Sequence, residues 1–307
     1  MLYFLLTRLL STLTVIIGVI TLVFLLIHLV PGDPVQAMLG ETATPTDLEA
    51  LREALGLDQP LWTQWWHYIT NLFQGELGNS LYSKEPILDI LLERFPATLE
   101  LAIAGLLVAV LLALPLGSIA ALRKDSIYDN SAMMFSLLGV SIPNFWLGPM
   151  LILLFSLILG WLPVSGREGP LSLILPAITL GTALAAILAR MVRSTLLEVL
   201  NEDYIRTARA KGLGETAVII HHALRNASLP IITVLGLQLG TLLGGAVITE
   251  IIFAWPGIGQ LTIESIERRD YPLVQACILL ISLSYVLVNT ITDLLYGWLD
   301  PRVRYSV

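Results

Sequence analysis

The run from Asn201 to Pro230, NEDYIRTARAKGLGETAVIIHHALRNASLP, gathers the side chains of this sequence best suited to chemistry between molecules. Arg206, Arg209, Lys211 and Arg225 supply cations, Glu202 and Asp203 supply anions, and Tyr204 adds a ring with a hydroxyl. The residues obey helix grammar. Asn201 is an N-cap type, Glu202 and Asp203 fall where the helix dipole favours anions, Lys211 falls in the last turn, and Gly212 suits the left-handed position that closes a helix. The expected helix has about ten residues and a length of ~15 Å. Too short and too charged to cross a bilayer, it is expected to lie parallel to one and to present Tyr204, Ile205, Ala208, Arg206 and Arg209 to a partner groove. His221 and His222 do not make a metal site, because adjacent helical residues point about 100° apart and no Cys or carboxylate joins them at ligand spacing.

Other polar residues sit inside apolar surroundings. Ser282, Asn289 and Asp293 recur at helical spacing and share one face, which an intramembrane carboxylate would turn toward a bundle interior or water. The same Asp293 also fits the level of the lipid headgroups. With Glu250 and Glu100 it forms the set an ion-coupled secondary transporter would use, the competing reading of a different class. Pro143 and Pro149 flank Asn144 in SIPNFWLGP, and with Pro176 they remove helix hydrogen bonds and can bend or break a span. Gly240 and Gly244 have the G-x-x-x-G spacing of close helix packing. Trp255, Pro256 and the apolar residues up to Tyr271 predict a partly re-entrant helix at a pathway mouth. There is no H-E-x-x-H, no G-x-S-x-G and no G-x-x-x-x-G-K-[ST], so the sequence offers neither a hydrolase motif nor a nucleotide site.

The elements that must position these residues are dictated by composition. Of 307 residues 56% are hydrophobic and 13% charged, which describes a polytopic membrane protein rather than a soluble enzyme. Six apolar runs reach the ~20 residues needed to cross a ~30 Å hydrocarbon core: Leu9 to Val30, Ala97 to Leu122, Ser131 to Leu159, Leu171 to Ala189, Ile231 to Phe253 and Leu273 to Trp298. An all-α membrane protein of six transmembrane helices follows, with residues 1–96 holding the first helix and a cap, and residues 97–307 a five-helix core. The first run is read as a retained anchor, since its length exceeds a signal-peptide core and VPGDPVQ offers no small-residue cleavage site.

Orientation follows from Lys and Arg. With the N-terminus inside, the inner set is Arg8, Arg123, Lys124, Arg190, Arg193, Arg206, Arg209, Lys211, Arg225, Arg302 and Arg304, against an outer set of Arg52, Lys84, Arg94, Arg167, Arg268 and Arg269. Both termini are therefore expected in the cytoplasm. Acidic residues between Asp33 and Glu93 account for a net charge of −7 despite that basic inner face. The outer segment Pro31 to Pro96 reads as a folded cap in which Thr46 or Asp47 caps a helix that Gly56 ends. Its aromatic cluster, Trp62, Trp65, Trp66, Tyr68 and Phe73, suits a membrane interface. The single cysteine, Cys277, excludes an intramolecular disulfide.

A short helix ending in glycine, then a second helix leading to Leu-Pro, resembles the EAA loop of ABC importer permeases. Tyr204, Arg206, Thr207, Ala208, Arg209, Ala210, Lys211, Gly212 and Leu213, then His222, Ala223, Leu224, Arg225, Asn226, Ala227 and Pro230, are similar to the loop of the peptide and nickel permeases. Arg206 and Thr207 depart from the broader EAA pattern, a departure those permeases share. Pro31-Gly32-Asp33-Pro34, Phe253-Ala254-Trp255-Pro256-Gly257-Ile258-Gly259 and Arg269-Asp270-Tyr271-Pro272 extend the resemblance over nearly the whole chain.

The resemblance implies the type I ABC importer permease fold and an EAA-like docking loop at about 198–230, with Glu202, Asp203, Tyr204, Arg206, Thr207, Ala208, Arg209, Lys211 and Gly212 on an ATPase. Asn144, Trp255, Pro256, Asn289 and Asp293 are the pathway and gate candidates. The PGDP start resembles a B-type subunit, which implies a C-type permease partner, two ABC ATPase subunits, an extracytoplasmic binding protein and a bacterial or archaeal cell membrane. It implies no nucleic-acid partner and no cofactor in this chain, ATP and magnesium belonging to the ATPases. Without intramembrane Cys/His clusters for bare nickel, the expectation is a peptide substrate; a nickel chelate stays open.

Overall fold

The computed structural model describes residues 2–29, 33–40 and 43–299. Pro31 and Gly32 of the PGDP motif, Arg302 and Arg304 lie outside them.

In chain order, α1 (Leu2–Leu29) is a long apolar helix. Three shorter helices follow, α2 (Pro34–Leu39), α3 (Pro45–Ala54) and α4 (Leu61–Gln74). The cap of α3 is Thr44 rather than Thr46 or Asp47: Pro45, with fixed φ and no N–H to satisfy, takes the first helical position and moves the cap one residue earlier. Thr44 and Asp47 bond reciprocally, and the Thr44 hydroxyl and amide hold the Asp47 carboxyl below its usual range. Gly56, at φ +64, closes α3 with bonds from its own amide to Glu53 and from Leu57 to Arg52.

Helix α5 (Ile87–Leu122) starts ten residues before the expected Ala97 and carries Pro96 within it. The run Ser131 to Leu159 is not one straight span. α6 (Ile127–Ser141) and α7 (Asn144–Leu151, continued by a π-helical stretch Ile152–Ile158) meet at 99°. Pro143 enforces the break by pushing Ile142 into an extended conformation. Pro176 produces no such break, because in α8 (Ile174–Leu200) it sits in the first turn, where no helical partner is lost.

After α8 come α9 (Asp203–Ala210) and α10 (Glu215–Ala217). A π-helical stretch, Val218–Ala223, joins α10 to α11 (Leu224–Gly245), which contains Pro230. The last three helices are α12 (Val247–Ile252), α13 (Ile258–Glu267) and α14 (Tyr271–Leu299). Among the described residues, five helices are long and apolar enough to cross a membrane, six if the bent α6–α7 pair counts as one span. Among the described residues the fold is built of helices, and the fifth span and the helix before it are one continuous rod.

The chain divides into two compact units, one comprising Leu99–Trp255 and the chain from Leu287, the other Leu2–Thr98 and Pro256–Val286. In the first, Leu188, Val192 and Leu196 of α8 pack with Ala109 and Ala113 of α5 and Ala223, Ala227 and Ile231 at the head of α11. Glycines let these helices touch backbone to backbone. A Cβ on Gly117 would lie 2.7 Å from the Ala189 carbonyl oxygen, and one on Gly181 would lie 2.7 Å from that of Gly105. On α11 a tight position is Gly236, whose Cβ would collide with the Thr292 hydroxyl, whereas Gly244 is exposed. Gly240, the other half of the expected G-x-x-x-G pair, is buried.

In the second unit, Ile87 and Leu91 of α5 pack with Ile258 and Leu261 of α13 and Leu273, Ala276 and Cys277 of α14. Ile20 and Val23 of α1 pack with Leu279 and with Tyr68, Ile69 and Leu72 of α4. Polar links pin the segment between α1 and α5. Trp65 donates its indole N–H to the Thr21 hydroxyl at 3.1 Å. Buried Asp270 accepts from the Ser80 hydroxyl at 2.5 Å and from the Tyr82 amide at 3.3 Å, while its other oxygen caps α14 at Leu273. Helix α4 is two-faced: Trp65 and Tyr68 turn inward, and Trp62, Trp66 and Phe73 stay exposed.

Candidate docking site

Helix α8 outruns its predicted end at Ala189 by eleven residues, so Asn201 finishes α8 instead of starting α9. Its backbone is still helical (φ −89, ψ −7), and its side-chain amide donates to the Leu197 carbonyl at 2.8 Å. An N-cap must be extended, and that place belongs to Glu202 (φ −70, ψ 147), which makes no side-chain cap bond. The resulting α9 has eight residues.

The far end follows helix-stop chemistry closely. Gly212 is left-handed at φ +81, its amide bonds the Arg209 carbonyl at 2.9 Å, and the Leu213 amide bonds the Ala208 carbonyl at 3.4 Å. That pair of bonds satisfies carbonyls otherwise orphaned at a helix end.

Which face of α9 is available is decided by burial. Ile205 is 0% and Ala208 6% exposed, both packed in the core cluster that holds Leu196, Val218 and Ala223. The expectation that they face a partner is therefore corrected: spaced three apart on one stripe, they are the apolar anchor of α9. The open face consists of Glu202, Asp203, Arg206, Thr207, Arg209, Lys211 and Gly212, with Tyr204 at its edge.

Polar contacts brace this face. The Asn226 amide of α11 donates to the Tyr204 hydroxyl at 2.6 Å. Arg209 makes two bonds to Glu215, at 2.8 and 3.3 Å, spanning the turn after Gly212. Arg206 pairs with Asp203 at 3.3 Å while remaining largely in solvent. The face is a charged projection with no nucleophile–base pair, so what it can do is fit a complementary groove. His221 and His222 lie in the π-helical stretch beyond it, exposed and half-buried respectively.

A largely buried ion pair ties α6 to α8. Arg193 of α8 grips Asp129 of α6 with two parallel bonds of 2.6 and 2.7 Å, and Asp129 also accepts from the Asp125 amide at 3.0 Å. The partners are 64 residues apart and carry no local signal beyond an acid in the first turn of a helix.

The pathway candidates lie on three separate stretches of the chain. Asn144 opens α7 beside the bend, half-buried. Trp255 is fully buried; its amide bonds the Glu250 carbonyl at 2.8 Å, and the Arg167 guanidinium stands 5.9 Å from its ring. The turn that seats it uses a left-handed Ala254 at φ +45. Pro256 follows as a half-buried residue. Only Asn289 and Asp293 share an element and a face, on α14, where the Asn289 side-chain oxygen is buried without a hydrogen-bond partner. Of the carboxylates considered for ion coupling, Glu100 pairs with Arg167 at 2.8 Å, and Glu250 is completely buried.

Residues 113–305 match the family described as binding-protein-dependent transport system inner membrane component, and residues 1–102 match its N-terminal counterpart. The chain is similar to the glutathione transport system permease proteins GsiC of Escherichia coli (strain K12), at 46% identity, and of Salmonella choleraesuis (strain SC-B67), at 45%, each over the whole of both chains. In fold it is similar to an inward-facing MetNI methionine ABC transporter structure, at a TM-score of 0.60 and 20% identity, over 70% of this chain and 99% of that one.

Proposed function

The chain belongs to the family of binding-protein-dependent transport system inner membrane components, and from that premise we propose that this ABC importer permease carries short peptides of the glutathione kind, driven by a separate ATPase seated on α9. The observation that carries the docking half is the division of α9 into a buried Ile205–Ala208 stripe and an open charged face closed by Gly212. An anchored helix transmits a push; a loose one would absorb it. The observation that supports the substrate half is the end-to-end similarity to glutathione permeases.

In this reading both termini and the 201–214 connection are cytoplasmic, and the α2–α4 segment lies outside, where a binding protein delivers substrate. A second permease of the C type completes the pathway, and two ATPases bind ATP and magnesium. Nucleotide-driven closure of the ATPases shifts α9 and the rods continuous with its neighbours, and alternating access follows from two coupled states of the spans. Asn144, Trp255, Pro256, Asn289 and Asp293 remain proposed pathway positions, with Trp255 acting through the turn it locks.

The test is purification of the tagged chain from its native membrane with its bound subunits, followed by reconstitution with the binding protein in liposomes. ATP-dependent uptake of labelled glutathione or dipeptide is expected, with a second permease and Walker-type ATPases in the preparation. Uptake by the chain alone without ATP would overturn the docking reading, and uptake restricted to a nickel chelate would overturn the substrate.

A further inference from the structure

We propose that the Leu2–Thr98 and Pro256–Val286 unit holds a small-molecule site of its own, which takes the amino-terminal end of a short peptide through its ammonium group. The site is a cavity of about 370 Å³ among α1, the end of α3, α4 and the start of α14, within the ~300–1,000 Å³ typical of small-molecule sites. It is formed within this one unit. The proposal rests on the peptide reading above and adds to it a place where the permease itself holds substrate.

Its chemistry is that of a binding site rather than a packing gap. The floor is apolar, formed by the buried Phe24, Ile27 and Ala276. Against that floor stands His28, whose Nε2 is buried with no hydrogen-bond partner. A buried polar atom left unpaired is costly, and a ligand that bonds it recovers that cost. Tyr68, Gln64 and Gln275 line the walls, and Asn71 and His67 stand at the rim. Gln275 is oriented by donating its amide to the Val23 carbonyl at 2.9 Å, and Gln64 by donating to that of Gln59 at 2.6 Å, which leaves each side-chain oxygen as an acceptor.

Glu53 is the one formally charged side chain of the lining. Charge complementarity therefore selects a ligand with a single cationic end, and amide and imidazole groups elsewhere in the lining suit peptide bonds and a carboxylate. A peptide amino terminus meets both conditions: its ammonium at Glu53 forms a charge-assisted bond, and its backbone finds donors and acceptors along the walls. The ethanolamine headgroup of a phospholipid carries the same ammonium, so the test must separate the two sources.

The experiment measures binding of labelled glutathione and of dialanine to the assembled importer in nanodiscs, without binding protein or nucleotide, in phosphatidylcholine/phosphatidylglycerol and again with phosphatidylethanolamine added. Saturable binding is expected in both lipids, weakened about tenfold or more by Glu53→Gln and by Ala54→Trp, which narrows the cavity from an exposed rim position. Absence of saturable binding, or binding unchanged in both variants, would overturn the proposal. So would binding lost only when phosphatidylethanolamine is present, which reassigns the cavity to a lipid headgroup. ATP-driven peptide uptake by the same preparation, measured alongside, separates the two levels: uptake without cavity binding sinks this site alone, and no peptide uptake sinks the reading on which it rests.

Discussion

Helix α9 and the segment between α1 and α5 are both short helical insertions between long spans, and they differ in what they leave exposed. Helix α9 is anchored by apolar side chains, Ile205 and Ala208, and shows a charged face. The segment between α1 and α5 is held by apolar packing of Tyr68, Ile69 and Leu72 on α1 together with polar links, Trp65 to Thr21 and Ser80 to Asp270, and shows exposed rings, Trp62, Trp66 and Phe73. The contrast follows from what each must meet. A charged face is stable beside water or a complementary protein, whereas exposed tryptophans are at home where lipid meets water. Which side is buried tells which neighbour is absent from the isolated chain.

The largest effect expected from breaking this contrast comes from the anchor. Ile205→Ala removes a fully buried side chain and is expected to cost about 2–5 kcal/mol locally, freeing α9 from α8 and α11. The ATPase should then be lost from purified preparations while the chain still reaches the membrane. Retention of stoichiometric ATPase would show that the charged face docks without its apolar anchor.

The polar attachment is tested by Ser80→Ala, which deprives buried Asp270 of its hydroxyl donor and is expected to cost about 1–3 kcal/mol. Here the expected signature is the reverse: a lower unfolding temperature in detergent with ATPase association intact. Parallel loss of ATPase would mean that the two attachments are not independent.

Gly212→Val comes next, at about 1–2 kcal/mol. A Cβ at this position meets nothing within 4 Å, so its whole cost is backbone, from φ +81. The helix end should fray, lowering transport per ATP hydrolysed rather than subunit assembly. Gly212→Asn, which tolerates the left-handed region better, should recover most of the loss. Equal coupling ratios in wild type and Val variant would remove Gly212 from the mechanism.

How much of this was legible depended on whether the signal was local. Long apolar runs announce spans, and Gly212 announces a helix stop, because each is a property of contiguous sequence. The end of α8 was missed because Arg190, Arg193 and Glu198 ended the hydropathic run, although Leu188, Ala189, Val192, Thr195 and Leu196 keep the 3–4 spacing of a buried face. Asn201 was misplaced for the same reason, since a residue type good at both helix ends takes its role from where the preceding helix stops. The inward turn of Ile205 and Ala208 was readable as an i, i+3 apolar pair in an otherwise polar helix. The Asp129–Arg193 pair was not readable, because nothing local joins residues on different helices.

The smallest of these effects sharpens the contrast most. Tyr204→Phe keeps the ring and removes only the hydroxyl that accepts from Asn226 at 2.6 Å, a loss expected to be about 0.5–1.5 kcal/mol. If apolar burial alone holds α9, assembly and coupling should stay at wild-type values, and only hydrogen exchange at the α9 amides should quicken. If the hydroxyl is a second anchor, coupling should fall measurably, and Asn226→Ala should produce the same fall with no further loss in the double variant. Non-additivity of that kind would make α9 a mixed attachment, apolar and polar together, like that of the segment between α1 and α5. Additive losses would leave α9 held by its apolar stripe, with Tyr204 acting on the open face instead.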